Sequence, residues 1–191
     1  DNLVITTLDR RLRLAVIGGG PGSFIGDMHR SAARLDDRYE LVASALSSDP
    51  ERSRAAGVGL GIAEDRAYPN AIALLDGEAA RTDGADVVYT AAGGSGNGTI
   101  AAAVESGKWA IGVDSDQWAT ATPEQQAHIL TSMLKRVDVA VFETVKAAQD
   151  GTLAGGFATY DLKVDGVGYS TSGGYLDDVK DQLEQIKADI V

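Results

Sequence analysis

The chain reads as a single α/β domain, a three-layer α/β/α sandwich built on a mostly parallel sheet. Three observations predict this. Short β-rich apolar runs alternate with segments whose apolar residues recur at three- and four-residue spacing. Two of the runs end in glycine-rich turns that open onto a helical pattern, Gly18–Gly22 and Gly93–Gly98. The length of 191 residues suffices for one buried core, and an aromatic content of 6 % with 23 Gly suits close-packed βα units better than an all-β sandwich. Parallel strands joined through helices imply right-handed crossovers.

Each element follows from local pattern. Residues 1–11 are polar and are expected to fray. Leu12–Ile17 is the first strand, and a helix follows with Phe24, Ile25, Met28, Ala32 and Leu35 on its apolar face. Leu41–Leu46 is the second strand. Ser47-Ser48-Asp49-Pro50 caps a helix through Arg52–Ala56, with Pro at its start. A short extended piece at Arg66–Tyr68 and a helix over Ala71–Arg81 lead to a buried strand, Asp86–Ala91. Thr99–Ser106 is a helix closed by Gly107, Trp109–Val113 a strand ending at Asp114, and His128–Met133 another strand. Asp138–Ala148 is amphipathic, with Val141, Val145 and Ala148 on one face and Gly151 as its stop. Phe157–Leu162 and Val167–Tyr169 read as short strands. Tyr175–Ile190 is the closing helix, with Leu176, Val179, Leu183, Ile186 and Ile190 in register.

Bulk chemistry narrows the function classes. The net charge of −11 opposes binding to phosphate backbones, so no nucleic-acid partner is expected. There is no Cys and only two His, His29 and His128, without ligand spacing, so no metal site is expected. No stretch approaches a membrane span, and no signal-peptide pattern is seen; neither a membrane partner nor a membrane segment is expected. The opening Asp1-Asn2-Leu3, without Met, is what a processed chain would show. No nucleophile elbow, His–carboxylate motif or metal spacing occurs, so no catalytic residue is assigned.

The glycine turns carry the binding chemistry. Gly18-Gly19-Gly20-Pro21-Gly22-Ser23 places Gly at the first and third positions of G-x-G-x-x-G, with Ser23 at the last and Gly26 three further on. Between a strand and a helix, such a turn lets a pyrophosphate reach the free N–H groups of the helix N-terminus. The end of the second strand offers Ser47 and Ser48, with Asp49 slightly late and Arg52 a helical turn on. Hydroxyls plus Arg tolerate a 2′-phosphate, which leaves NADP as acceptable as NAD. The same residues also suit a plain turn and helix cap. The second turn, Gly93-Gly94-Ser95-Gly96-Asn97-Gly98, together with Asp114, Asp116 and Lys135, falls at the same carboxyl edge. Asp114 and Asp116 also suit capping, and Lys135 a solvated surface.

Composition changes along the chain. Residues 1–84 hold ten Arg and no Lys; residues 85–191 hold six Lys and one Arg, Arg136. Exposed helix faces accept either residue equally, so folding does not require the change.

Two resemblances fall on either side of this seam near Gly84. RLRLAVIGGGPGSFIGDMHRSAARLDDRYELVASALSSDPERSRAAGVGLGIAEDRAY, with ALLDGEAARTDG, resembles the N-terminal part of Gfo/Idh/MocA-type NAD(P)-dependent sugar oxidoreductases over about residues 10–84. That resemblance implies that Gly18, Gly20 and Gly22 hold a dinucleotide pyrophosphate, with Ser23 of the same turn as a further cofactor-binding candidate, and that Ser47, Ser48 and Arg52 face its adenosine ribose. The family's Thr-Pro-Asn turn, its Glu-Lys-Pro motif with the catalytic Lys and its substrate domain do not follow. The remainder, with GVDSDQ and TSMLKRVDVAV, resembles basic-membrane-protein/purine-nucleoside-receptor lipoproteins, a branch of the type I periplasmic binding proteins. This implies that Gly93, Gly94, Asp114 and Lys135 contact the ribose side of a nucleoside, while the opposite lobe of the clamshell is lacking.

The expectation is therefore a Rossmann-like and periplasmic-binding-protein-like chimera of designed origin, not an enzyme. It needs no cofactor and retains at most weak binding of NAD(P) or a purine nucleoside. A lobe without its partner would be a monomer or a weak homodimer. One family is cytoplasmic and the other exported, so no location follows. The hybrid requires Leu12–Ile17 and Asp86–Ala91 to be adjacent parallel strands.

Overall fold

The computed structural model describes residues 8–35, 37–91, 93 and 96–191, without the side chains of Phe24 and Ile25. Six strands form one sheet in the order β2-β1-β3-β4-β5-β6: β1 Leu12–Gly18, β2 Tyr39–Ala45, β3 Val87–Ala91, β4 Trp109–Asp114, β5 Ile129–Lys135 and β6 Val167–Tyr169. The first five are parallel and β6 is antiparallel to β5. The order 2-1-3-4-5 is that of a doubly wound sheet whose strand order reverses between β1 and β3. The required neighbours do pair, Leu14 with Val87 through Gly18 with Ala91. The extended piece near Tyr68 contributes one parallel bridge, Ala67 beside Ser44 at the far edge of β2.

Seven α-helices are described: α1 Phe24–Leu35, α2 Pro50–Gly59, α3 Ala71–Ala79, α4 Gly96–Glu105, α5 Pro123–Gln126, α6 Val137–Gln149 and α7 Lys180–Ile190. Caps set several starts. Asp49 accepts from Arg52 N at 2.7 Å with Pro50 as first residue, Asn70 accepts from Ala73 N at 2.9 Å, and Thr122 and Gln125 form a capping box. Gly107 and Gly151, both at positive φ, end α4 and α6.

Strand alternation splits the core in two. On one face Ala15, Ile17, Ala43, Ala45 and Val88 pack under Leu74 of α3, and beside them Ile100 and Ala103 of α4 meet Ala110 and Ile129. On the other face Leu14, Val16, Val87 and Tyr89 pack against Ala33 of α1, and this cluster runs on to Val113 and Met133. Near the seam, buried Glu78 on α3 binds buried Arg66 through both oxygens, accepts from the Tyr68 hydroxyl at 3.0 Å, and accepts from Ala85 N at 2.9 Å.

Several expected elements differ. Of the apolar face assigned to α1, the described side chains point away from the sheet: Met28 is 60 % and Leu35 83 % exposed and Ala32 is exposed, whereas Gly26 and Arg30 are buried; the side chains of Phe24 and Ile25 lie outside the described residues. Arg30 takes that inward position because its guanidinium donates to Gly19 O at 2.5 Å and binds Asp27. Phe157–Leu162 is not a strand. Phe157 is fully exposed, and the chain enters a 3-10 turn at Leu162–Val164. The closing helix begins at Lys180, after a 3-10 turn at Asp177–Val179. Val141, Val145 and Ala148 of α6 are all exposed, and no α6 residue is buried.

Candidate functional site

The front glycine turn sits at the carboxyl ends of β1 and β2, one side of the switch point. Gly18, Gly19 and Gly22 adopt φ of +82°, +67° and +86°, conformations that strain any residue with a Cβ. Gly20 is needed for a different reason: a Cβ there would lie 2.2 Å from Leu46 O, so the turn passes directly over the end of β2. Gly26 does the helix-packing work that the fingerprint gives its last glycine. A Cβ on Gly26 would lie 2.0 Å from Gly19 O. Ser23, at the formal last position, donates its N–H to Gly20 O at 2.9 Å and accepts from Gly26 N at 3.3 Å.

Around this turn the structure gathers the remaining front candidates. Ser47 is half-buried and accepts from Asp49 N at 3.1 Å; Ser48 is exposed. Arg52 reaches back and donates to Pro21 O at 3.0 Å. Nothing lies within 4 Å of the position a Gly22 Cβ would take, so the outer side of the turn is open to a ligand. The chemistry of the group could serve a dinucleotide: an open glycine turn before α1 can receive a pyrophosphate, and the Ser47 and Ser48 hydroxyls and the Arg52 guanidinium can bond to ribose or phosphate oxygens.

The second set lines a cavity of about 730 Å³ at the same edge, beyond the switch point. Gly93, Asp114 and Lys135 contribute to its wall, as do His29 of α1 and Val113 and Met133 of the sheet. The volume falls in the range of small-ligand sites. Asp114 takes φ +68°, which Asp tolerates better than most residues. Its carboxylate stands 3.2 Å from Lys135 Nζ on the neighbouring strand. Both side chains are about half exposed, so this pair contributes on the order of 0–1 kcal/mol to stability and is free to exchange partners. Gly94 lies outside the described residues.

Asp116 does not join this wall. It accepts from Ser172 Oγ at 2.5 Å, and its second oxygen is buried without a partner. The expected capping is also absent, since Asp116 makes no side-chain bond to the 3-10 turn Gln117–Thr120 that follows it. Among the described residues no group of three or more His, Asp or Glu side chains could hold a metal.

Sequence reasoning missed two features here. Tyr89 and His29 form a bonded pair under the cavity, Oη to Nε2 at 3.0 Å with the rings edge to face. Burial pushes the Tyr89 phenol up to about 12, with Asp114 adding to it, and burial together with Arg30 lowers the His29 pKa. Both shifts favour a protonated phenol donating to a neutral imidazole. The alternation of β3, which puts Tyr89 on the α1 side, was the available signal. The second is Gln117. Its side chain accepts from Val113 N at 2.9 Å and donates to Asn97 Oδ1 at 3.2 Å, locking the end of β4 to the start of α4. Gly112 makes room for it, because a Cβ there would fall 2.4 Å from Ser132 Oγ and 2.9 Å from Gln117 Oε1.

The family model for ABC transporter substrate-binding, PnrA-like proteins matches residues 78–191, more than half of the chain. The chain belongs to this family. An uncharacterized oxidoreductase, YfiI of Bacillus subtilis, is 40 % identical over 85 residues, 44 % of this chain and 22 % of that protein. An uncharacterized lipoprotein of Pyrococcus abyssi is 52 % identical over 42 residues, 22 % of this chain and 10 % of that protein. This member of the PnrA-like family thus spans about a fifth or less of the curated relatives it matches.

Among solved structures, an inositol dehydrogenase homolog from Azotobacter vinelandii, complexed with NADH and myo-inositol, superposes with a TM-score of 0.59 at 31 % identity. The match covers 76 % of this chain and 41 % of that one. An ABC transporter solute-binding protein from Conexibacter woesei covers 93 % of this chain and 54 % of its own, with a TM-score of 0.55 at 18 % identity, a likeness of fold alone. The α/β fold thus has both Rossmann-like and periplasmic-binding-like neighbours.

Proposed function

We propose that this chain is a recombined α/β scaffold, designed from an oxidoreductase-like front and a receptor-like rear, whose activity is weak binding of a small nucleoside or dinucleotide at the carboxyl edge. It catalyses no reaction of its own. The observation that carries the binding reading is the placement of Gly18, Gly20, Gly22 and Arg52 on one side of the switch point and Gly93, Asp114 and Lys135 on the other. Support for the splice comes from the Arg-to-Lys change near Gly84, the family match beginning at residue 78 and the partial oxidoreductase relative.

A dinucleotide would rest its pyrophosphate on the turn before α1 and its ribose near Ser47, Ser48 and Arg52. A purine nucleoside would offer its ribose hydroxyls to Asp114 and Lys135 and its base to the apolar wall. Asp114 and Lys135 already pair with each other, so a ligand must compete for them, and the cavity is open to solvent. Both factors reduce affinity. The reading without catalysis rests on the sequence after β3, which continues Ala91-Ala92-Gly93-Gly94 in place of the oxidoreductases' Thr-Pro-Asn turn and carries no Glu-Lys-Pro motif.

Isothermal titration calorimetry with NADPH, NAD and guanosine tests this. The expected result is a saturable isotherm at high-micromolar to millimolar ligand. Lys135→Met should abolish the guanosine signal and Arg52→Ala the NADPH signal, each leaving the other intact. No heat with any of the three overturns the binding reading. NADPH turnover with myo-inositol or another sugar overturns the non-catalytic one.

A further inference from the structure

The sheet face that carries α1 is covered on one side only. Over β4 and β5 no described helix stands on it, and Val113 and Met133 floor the open cavity there. The same chain holds an apolar helix face with nothing against it. In α6, Val137, Val141, Phe142 and Val145 are each 53–64 % exposed and form one stripe at three- and four-residue spacing. The helix does not turn inward because it is tied to the arm that follows. Arg136 N donates to Gly166 O at 2.9 Å, Thr144 Oγ1 meets Tyr160 Oη at 3.1 Å, and Thr152 N donates to Ala147 O at 2.9 Å. Gly166 presses against Tyr160, where a Cβ would fall 2.4 Å from the backbone, so helix and arm form one projecting hairpin.

We propose that a second copy of this chain covers the open face: α6 of each copy lies in the β4–β5 groove of the other, making a twofold dimer. The dimensions agree. Thirteen helical residues run about 20 Å, close to the roughly 23 Å of a seven-residue strand. A helix of that length covers roughly 20 by 10 Å, so two reciprocal contacts bury on the order of 800 Å² before exposed Leu153 and Phe157 of the arm are added. That is below the roughly 1,000 Å² of a stable interface and fits a weak, transient dimer. The net charge of −11 on each copy opposes pairing, so screening should strengthen the dimer. This inference does not rest on the ligand reading, but α6 would sit on the same wall of Val113 and Met133 given above to a nucleoside base, so a dimer and a bound nucleoside exclude each other at that cavity.

Sedimentation velocity on the full chain from 1 to 500 μM, in 0.05 M and 0.5 M NaCl, tests it. The expected result is a monomer–dimer equilibrium with its midpoint lowered by salt. Phe142→Asp should weaken the dimer about 100-fold, with an unchanged circular dichroism spectrum because Phe142 is exposed. The chain has no cysteine, which permits a direct check. Oxidising a mixture of Val141→Cys protein with Met133→Cys protein should give a mixed dimer linked by a disulfide. A monomer at every concentration overturns the proposal. So does an intramolecular disulfide in the double variant combined with no mixed dimer, which would mean that α6 closes over its own sheet.

Discussion

Removing the Glu78 carboxylate should be among the most damaging single changes in the front segment. Glu78 is 4 % and Arg66 8 % exposed, and their contact is bidentate. The carboxylate also accepts from the Tyr68 hydroxyl and from Ala85 N, the first backbone group after the seam. In Glu78→Ala, Arg66 keeps only Asp83, whose carboxylate stands 3.7 Å away and whose carbonyl accepts at 3.4 Å. Breaking a buried pair by deleting one partner costs about 3–5 kcal/mol, which in a chain of this length lowers Tm by about 6–20 °C. Replacing both ends, Arg66→Met with Glu78→Leu, removes the stranded charge and should recover most of that loss. Urea and thermal unfolding followed by circular dichroism measure both. A loss below about 1 kcal/mol for Glu78→Ala, or a double variant no better than the single, would refute the claim that an uncompensated guanidinium sets the cost.

Three further outcomes follow from geometry and titration. His29 has its pKa lowered by burial and by Arg30, so the unfolded chain takes up that proton first; stability should fall as pH drops below the ordinary His value of about 6.5, and His29→Gln should flatten the fall in pH-dependent urea midpoints. Tyr68, Tyr89 and Tyr169 are each pushed up to about 12, the first two mainly by burial and the third mainly by its bond to Glu184; ultraviolet difference titration should show these three ionising near pH 12, with stability lost from about pH 10 upward. Gly26→Ala should cost about 1–3 kcal/mol because its Cβ meets backbone at 2.0 Å, whereas Gly98→Ala, in open space on α4, should stabilise by about 0.4–1 kcal/mol in chemical denaturation.

Legibility in the sequence followed how local the cause was. β1, its glycine turn and α1 could be read because the apolar period changes from strand to helix across glycines whose φ is positive. The Asp49 cap and the Gly107 stop are equally local. The apolar stripes of α1 and α6 were visible, but periodicity says which face is apolar and not whether anything stands opposite it. Met28, Leu35, Val141 and Val145 therefore turned out exposed. Gly26 outranks Ser23 as the packing residue because the helix approaches Gly19 one turn later than the motif spacing assumes. The His29–Tyr89 pair is sixty positions apart in sequence, and only the β1–β3 pairing brings it together.

The seam itself offers a sharper test, because Asp86 binds across it. Its carboxylate takes two hydrogen bonds from the Arg10 guanidinium, at 2.6 and 3.1 Å, and one from Arg13 N at 3.0 Å. Burial pushes the Asp86 pKa up, but the bonds from Arg10 and from Arg13 N outweigh it and hold the group below the ordinary carboxylate value. The visible ion pair is the weaker part. Arg10 is about one-third exposed, so its pairing contributes about 0–1 kcal/mol. Asp86→Ala also strips Arg13 N of its acceptor at the start of β1, where an unmade bond costs about 1–3 kcal/mol. Asp86→Asn keeps an acceptor oxygen there. Stability loss should therefore rise in the order Arg10→Ala, Asp86→Asn, Asp86→Ala. Since the folded pKa is depressed, the Asp86 contribution should be present above about pH 4 and fade below it. If Arg10→Ala costs as much as Asp86→Ala in urea midpoints at neutral pH, the two segments are joined there by charge, and the backbone cap contributes little.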